Sequence, residues 1–174
     1  MLRLLSRALL KGPLTEAAPA ADPEGLAELA RKLQGAAAAR LGRSLAIREV
    51  DAGSCNGCEL EIHALNNPIY DVERFGIRFV ASPRHADVLL VTGPVTHNMA
   101  VALERTWRAT PGPKWVVATG DCALDGGCFA GSYAVVGGVD KVVPVDLRIK
   151  GCPPRTRDIL AGLLALLETA EGKR

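Results

Sequence analysis

The chain has 174 residues, enough for one domain with a sizeable core. Its residues are 48% hydrophobic but only 4% aromatic, so Val, Leu, Ile and Ala must build that core. A net charge of +2 is too small to argue for nucleic acid, and no apolar run approaches the ~20 residues that cross a bilayer.

Residues 1–12 place Leu2, Leu5 and Leu9 on one helical face and Arg3, Arg7 and Lys11 on another. Such a basic amphipathic helix suits a peripheral foot on a membrane surface or subunit, or equally a helix packed on its own domain or a partner. The segment lacks a secretory pattern, so a cytoplasmic protein is expected. Residues 13–22 are rich in Pro and Ala and read as a linker. Asp22-Pro23-Glu24 opens a helix that should run to about Arg40 and stop near Gly42. Residues 1–44 thus form an N-terminal helical extension, and residues 45–174 a single domain.

Within that domain the pattern alternates. Strands are expected at 46–50, 77–80, 88–91, 114–119 and 142–145. Helices are expected at 59–65, 99–108 and 154–168, the last with Leu160, Leu163, Leu164 and Leu167 on one face. Short Val/Leu/Ile runs separated by helices indicate a parallel sheet buried on both faces. The fold class is α/β, a flavodoxin-like open parallel sheet with helices on both faces.

The five cysteines, an odd number, argue against a disulfide scaffold. Cys55 and Cys58 form a C-x-x-C after the first strand, where free N–H groups and a helix dipole stabilise thiolates. Cys122 follows the fourth strand and Cys152 the fifth. The carboxyl ends of parallel strands share one edge, so these four thiols should converge there. Cys128, past Asp125-Gly126-Gly127, reads as a nearby thiol outside the set.

Four cysteines suit zinc or an iron–sulfur cluster. One pair plus two distant singles, on a domain large enough to fold without metal, favours the cluster. Glycines at 53, 57, 120 and 151 would let backbone approach a bulky inorganic core. A thioredoxin-like exchange pair at Cys55 and Cys58 is the rival reading, and it leaves Cys122 and Cys152 without a role.

Cys55-Asn56-Gly57-Cys58-Glu59-Leu60-Glu61-Ile62 resembles the small subunit of membrane-bound NiFe hydrogenases of the formate hydrogenlyase type. The resemblance continues through residues 82–96, Gly120-Asp121-Cys122-Ala123, residues 137–146 and Gly151-Cys152-Pro153-Pro154, covering roughly residues 46–168. The same superfamily includes the B subunit of respiratory complex I, which typically has adjacent cysteines where this chain has Cys-x-x-Cys.

The resemblance implies one [4Fe–4S] cluster on Cys55, Cys58, Cys122 and Cys152, beside the large subunit of a hydrogenase complex. It also implies a ferredoxin-like iron–sulfur subunit and membrane subunits as partners, and a peripheral place on the cytoplasmic face of the cell membrane. Electron transfer rather than independent catalysis is expected. The alternative is the same role in a complex I-like or hydrogenase-like assembly that reduces quinone or another acceptor without NiFe chemistry. Glu61 aligns with a glutamate that the family tends to place near the cluster, and Gly57, Gly120 and Gly151 flank the ligand positions. Glu59 reads as a carboxylate favoured by a helix N-terminus. Asp121 would lower the potential if ionised, or cap the following turn.

Overall fold

The computed structural model describes residues 23–169. The expected basic helix at 1–12 and linker at 13–22 lie outside them. Helix α1 spans Pro23–Leu41 and strand β1 Leu45–Asp51, followed by α2 at Gly57–Ala64 and β2 at Ile77–Phe79. Next come β3 at Val88–Thr92, β4 at Val95–Thr96, α3 at His97–Ala109 and β5 at Trp115–Thr119. Short α4 covers Asp121–Asp125, then β6 Val135–Gly137, β7 Leu147–Ile149 and α5 Thr156–Thr169.

Five strands form one parallel sheet in the order β2-β1-β3-β5-β7. Counting those strands alone, the order is the flavodoxin-like 2-1-3-4-5. The period-two alternation of β3 feeds two cores. Val88 and Leu90 join Ile47, Trp115 and Val117 beneath α1, α2 and α5, whereas Leu89 and Val91 join Val116, Ala118, Leu103 and Ala123 beneath α3 and α4.

Helix α1 is part of the first core through Leu26, Leu33 and Ala37, which share one helical face. It packs beside α5, whose Ile159, Leu160, Leu163, Leu166 and Leu167 follow the same period. Arg40 donates to the Leu167 carbonyl at 3.1 Å, satisfying an orphan acceptor in the last turn of α5.

The fifth sheet strand differs from the sequence expectation of 142–145. It lies at Leu147–Ile149, after a 3-10 turn at Val139–Lys141. Pro144 has no N–H for a ladder, while Val143 is spent in the second core. Pairing resumes at Asp146, whose N–H reaches the Val116 carbonyl at 2.9 Å and whose carboxylate accepts from Val116 N at 2.8 Å. The small antiparallel pair of β4 with β6 was also absent from the sequence expectation.

Candidate metal centre at the carboxyl edge of the sheet

The turn after β1 is built by side chains. Asp51 Oδ1 accepts from the N–H groups of Gly53 and Ser54 at 2.8 and 2.7 Å, reversing the chain as the strand ends. Ser54 Oγ accepts from Asn56 N at 2.9 Å and donates to Glu59. Asn56 is left-handed, with φ 70°, and α2 starts at the next residue. Cys55 is thereby left exposed in the turn, and Cys58 is buried in the first turn of α2.

Cys122 arrives by a parallel route, buried in the first turn of α4 directly after β5. Cys152 follows β7 and is exposed. The two loops are clamped together. Asp121 N donates to the Gly151 carbonyl at 2.9 Å, and Asp121 Oδ1 accepts from Gly151 N at 2.9 Å. Asp121 thus makes a tie across loops in place of the cap expected within its own turn.

All four thiols, Cys55, Cys58, Cys122 and Cys152, line one cavity of about 110 Å³. Gly57, Gly151 and Asp121 share that wall. Gly120 stands behind it: a Cβ there would lie 2.6 Å from Cys58 Sγ. Among the described residues, no group of three or more His, Cys, Asp or Glu stands ready for a single metal ion.

The two buried thiols, Cys58 and Cys122, resist ionisation. Burial pushes the Cys58 thiol up to about 12, with Glu59 and then the other three site cysteines adding repulsion. Cys122 is pushed up to about 11, again chiefly by burial, with Cys128 and Cys152 contributing. A cation placed among them inverts this, since metal-bound thiols are deprotonated outright.

Glu61 does not line the cavity. Its Oε2 accepts from Thr156 N at 3.1 Å and Thr156 Oγ1 at 2.7 Å, capping the first turn of α5 just beyond the Cys152 loop. Glu61→Ala is expected to cost about 1–2 kcal/mol by urea unfolding, the usual range for a lost helix cap. Glu59 is the carboxylate beside the cavity: it is buried, hydrogen-bonded to the cavity-wall Ser54, and its Oε1 has no partner. The signal for it was Ser54 five residues upstream, on the turn that carries the cysteines. Gly93, at the end of β3, also lines the cavity and packs against the Ser54 backbone. His63, His85, His97 and Arg84 are exposed and outside the lining.

A flavodoxin-like sheet that gathers four thiols at its carboxyl edge is an open α/β architecture with a multi-thiol site, unlike a disulfide oxidoreductase, whose exchange pair stands alone. Residues 55–166 match the family described as "NADH ubiquinone oxidoreductase, 20 Kd subunit", and the chain belongs to that family. It is 48% identical over 134 residues to formate hydrogenlyase subunit 7 of Escherichia coli (strain K12), covering 77% of this chain and 52% of that one. The chain thus spans about half the length of that relative. A Pyrococcus furiosus protein described as "Probable membrane-bound hydrogenase subunit mbhJ" is 47% identical over 128 residues, 74% of this chain and 77% of that one. Among solved structures, a chain of the membrane-bound sulfane sulfur reductase, an archaeal respiratory membrane complex, matches with a TM-score of 0.66 and 34% identity. That match covers 81% of this chain and 78% of the other. Among the described residues no helix is long and apolar enough to cross a membrane.

Proposed function

We propose that this chain is the electron-transfer subunit of a membrane-bound hydrogenase complex, holding one [4Fe–4S] cluster on Cys55, Cys58, Cys122 and Cys152. The observation that carries the reading is the convergence of four thiols from three sheet-edge loops on one cavity. A single water occupies roughly 10–15 Å³ on the same measure, so about 110 Å³ suits a polynuclear group better than one ion. When bound, such a cluster accepts and releases single electrons.

The chain's own residues do the positioning. Cys58 and Cys122 hold the inner side, while Cys55 and Cys152 stand at the exposed rim. The Asp121–Gly151 clamp keeps the two single-cysteine loops at a fixed separation. Leu60, 62% exposed on α2 beside the rim, favours a partner surface there. That partner is a hydrogenase-type large subunit, with a ferredoxin-like iron–sulfur subunit and membrane subunits completing a peripheral assembly on the cytoplasmic face.

Anaerobic purification tests this. About four iron and four sulfide per chain are expected, with Cys→Ser at any of the four positions removing most of both. Stoichiometric zinc in native anaerobic material would overturn the reading. A second reading places the same cluster in an assembly without NiFe chemistry, favoured by the likeness to the sulfane sulfur reductase complex. Hydrogen-dependent dye reduction by the isolated complex supports the first reading. A nickel-free complex that turns over another acceptor supports the second.

A further inference from the structure

The crossover from β2 to β3 is the short one. β1, β3 and β5 each hand the chain to the next sheet strand through an α-helix, α2, α3 and α4 in turn. Residues 80–87 make the same kind of crossing with only a 3-10 turn at Pro83–His85. A parallel crossover normally takes about a dozen residues or more, and the helix in it covers the sheet face it crosses. This crossing runs over the face of the second core, where Ala86 is buried and the turn packs against α3. The helices on that face, α3 and α4, belong to the β3–β5 and β5–β7 crossovers, so β2 and the start of β1 have no helix of their own there.

The strip left open is basic. Ala46 pairs in register with Arg78, and Arg48 with Leu89 of the second core. Aligned residues of parallel strands point to one face with a period of two, so Arg48 and Arg78 share the second-core face. Arg84 stands on the crossover itself. Arg78 and Arg84 are exposed, and Arg48 is half-buried. Arg43, Arg74, Arg108, Arg148 and Arg155 each pair with a carboxylate of this chain. Among the described residues, Arg48, Arg78 and Arg84 have no such partner. Asp87, the one acid in the crossover, is turned inward to Ala46 N and Arg43. The Arg48 Nε–H is buried without an acceptor, a cost that folded chains seldom leave standing. Arg48 also interrupts a strand paired on both sides, where a helix-covered face would call for Val, Leu or Ile.

We propose that this helix-free face is the docking surface for an acidic segment of a neighbouring subunit, whose Asp and Glu carboxylates pair with Arg48, Arg78 and Arg84. The inference rests on the reading of this chain as one subunit of a complex, and not on the cluster. All three cations are arginines, whose planar forks match carboxylates with two hydrogen bonds at once. A lipid surface fits less well. Membrane-seated faces set apolar wedges beside their cations, and among the described residues no exposed large apolar side chain belongs to β1, β2 or residues 80–87. The acidic segment takes the place of the missing crossover helix and brings the counter-charge that this chain does not supply.

The test uses the intact complex, recovered through a tag on the full-length chain. Arg78→Glu/Arg84→Glu alters only exposed side chains, so circular dichroism and iron per chain should not change. At low salt, recovery of the neighbouring subunit should fall about tenfold or more, because like charges then face each other. Arg78→Lys/Arg84→Lys should keep most of that recovery, and it adds amines that a carbodiimide joins directly to carboxylates. Mass spectrometry should find position 78 or 84 of that variant joined to Asp or Glu of another subunit. Links confined to this chain, or none, would overturn the proposal, as would charge reversal that leaves recovery unchanged. Charge reversal that abolishes binding to phosphatidylglycerol vesicles with recovery intact would also overturn it, and would give the face to lipid. A wild-type chain that recovers no other subunit would reject the complex itself, and the docking surface with it.

Discussion

Gly120→Ala is expected to abolish iron binding while leaving the sheet folded. Gly120 joins β5 to α4 at φ 88°, ψ 153°, a conformation that a side chain disfavours. The added Cβ would also stand 2.6 Å from Cys58 Sγ and 3.4 Å from the Gly151 carbonyl. An ordinary carbon–sulfur contact needs roughly 1 Å more, well beyond what thermal motion in a packed wall absorbs. Either Cys58 leaves its rotamer or the Gly120 loop retreats, and in both cases one of the four thiols departs from the common cavity.

Backbone strain and overpacking together should cost about 2–4 kcal/mol, which marks a severe but survivable substitution. The cavity is the more sensitive readout, because loss of one thiolate among four breaks closure of the set. Iron per chain after anaerobic reconstitution is therefore expected to fall at least tenfold. Gly57→Ala is the matched control. It lines the same cavity, but its Cβ would make only a 3.6 Å contact with Cys55 Sγ, and its place at the start of α2 suits a side chain. That variant should retain most of its iron.

The contrast between these glycines marks how far the sequence could be read. Gly57 and Gly120 looked alike as small residues beside cysteines. Only the close approach of Gly120 to Cys58 separates them, and an approach between segments distant in the chain leaves no local pattern. The first four sheet strands were legible, most clearly β3 and β5, which are buried at every position because burial on both faces forces continuous apolar runs. The fifth was displaced because Val142, Val143 and Val145 imitate a strand although they serve the second core and the turn before β7. Short β4 and β6 carry too few residues for a period to show.

The convergence of the cysteines followed from topology alone, since every site loop leaves a strand at the same edge. The carboxylates did not follow so directly. Glu59 and Glu61 sit two residues apart on a short helix, and a rotation of α2 decides which approaches the cavity. The structure gives Glu59 to Ser54 and Glu61 to Thr156, partners separated from them by five and by 95 residues. The nearer partner was visible in the sequence and the distant one was not.

At the opposite edge of the sheet, Asp87→Ala is expected to lower stability by about 2–4 kcal/mol without harming the cavity in chains that remain folded. Asp87 is 3% exposed at the residue before β3. Its Oδ2 accepts from Ala46 N at 2.9 Å and from Arg43 at 2.9 Å, while Oδ1 accepts from Arg43 at 2.5 Å. The ion pair is the smaller part of this. Arg43 is about half exposed, and its guanidinium regains water when the carboxylate goes, so the pair alone is worth at most about 1 kcal/mol. The buried Ala46 N–H has no such recourse, and an orphaned buried donor costs about 1–3 kcal/mol. Arg43→Ala should therefore cost less than Asp87→Ala, and Asp87→Asn, which keeps an acceptor for Ala46 N, should fall between them. Equal losses for Arg43→Ala and Asp87→Ala in urea unfolding would show that the ion pair, not the backbone donor, dominates. Parallel strands put their starts and ends on opposite edges, so this series should move the unfolding midpoint with iron per folded chain unchanged. Gly120→Ala should do the reverse, emptying the site with the sheet still standing.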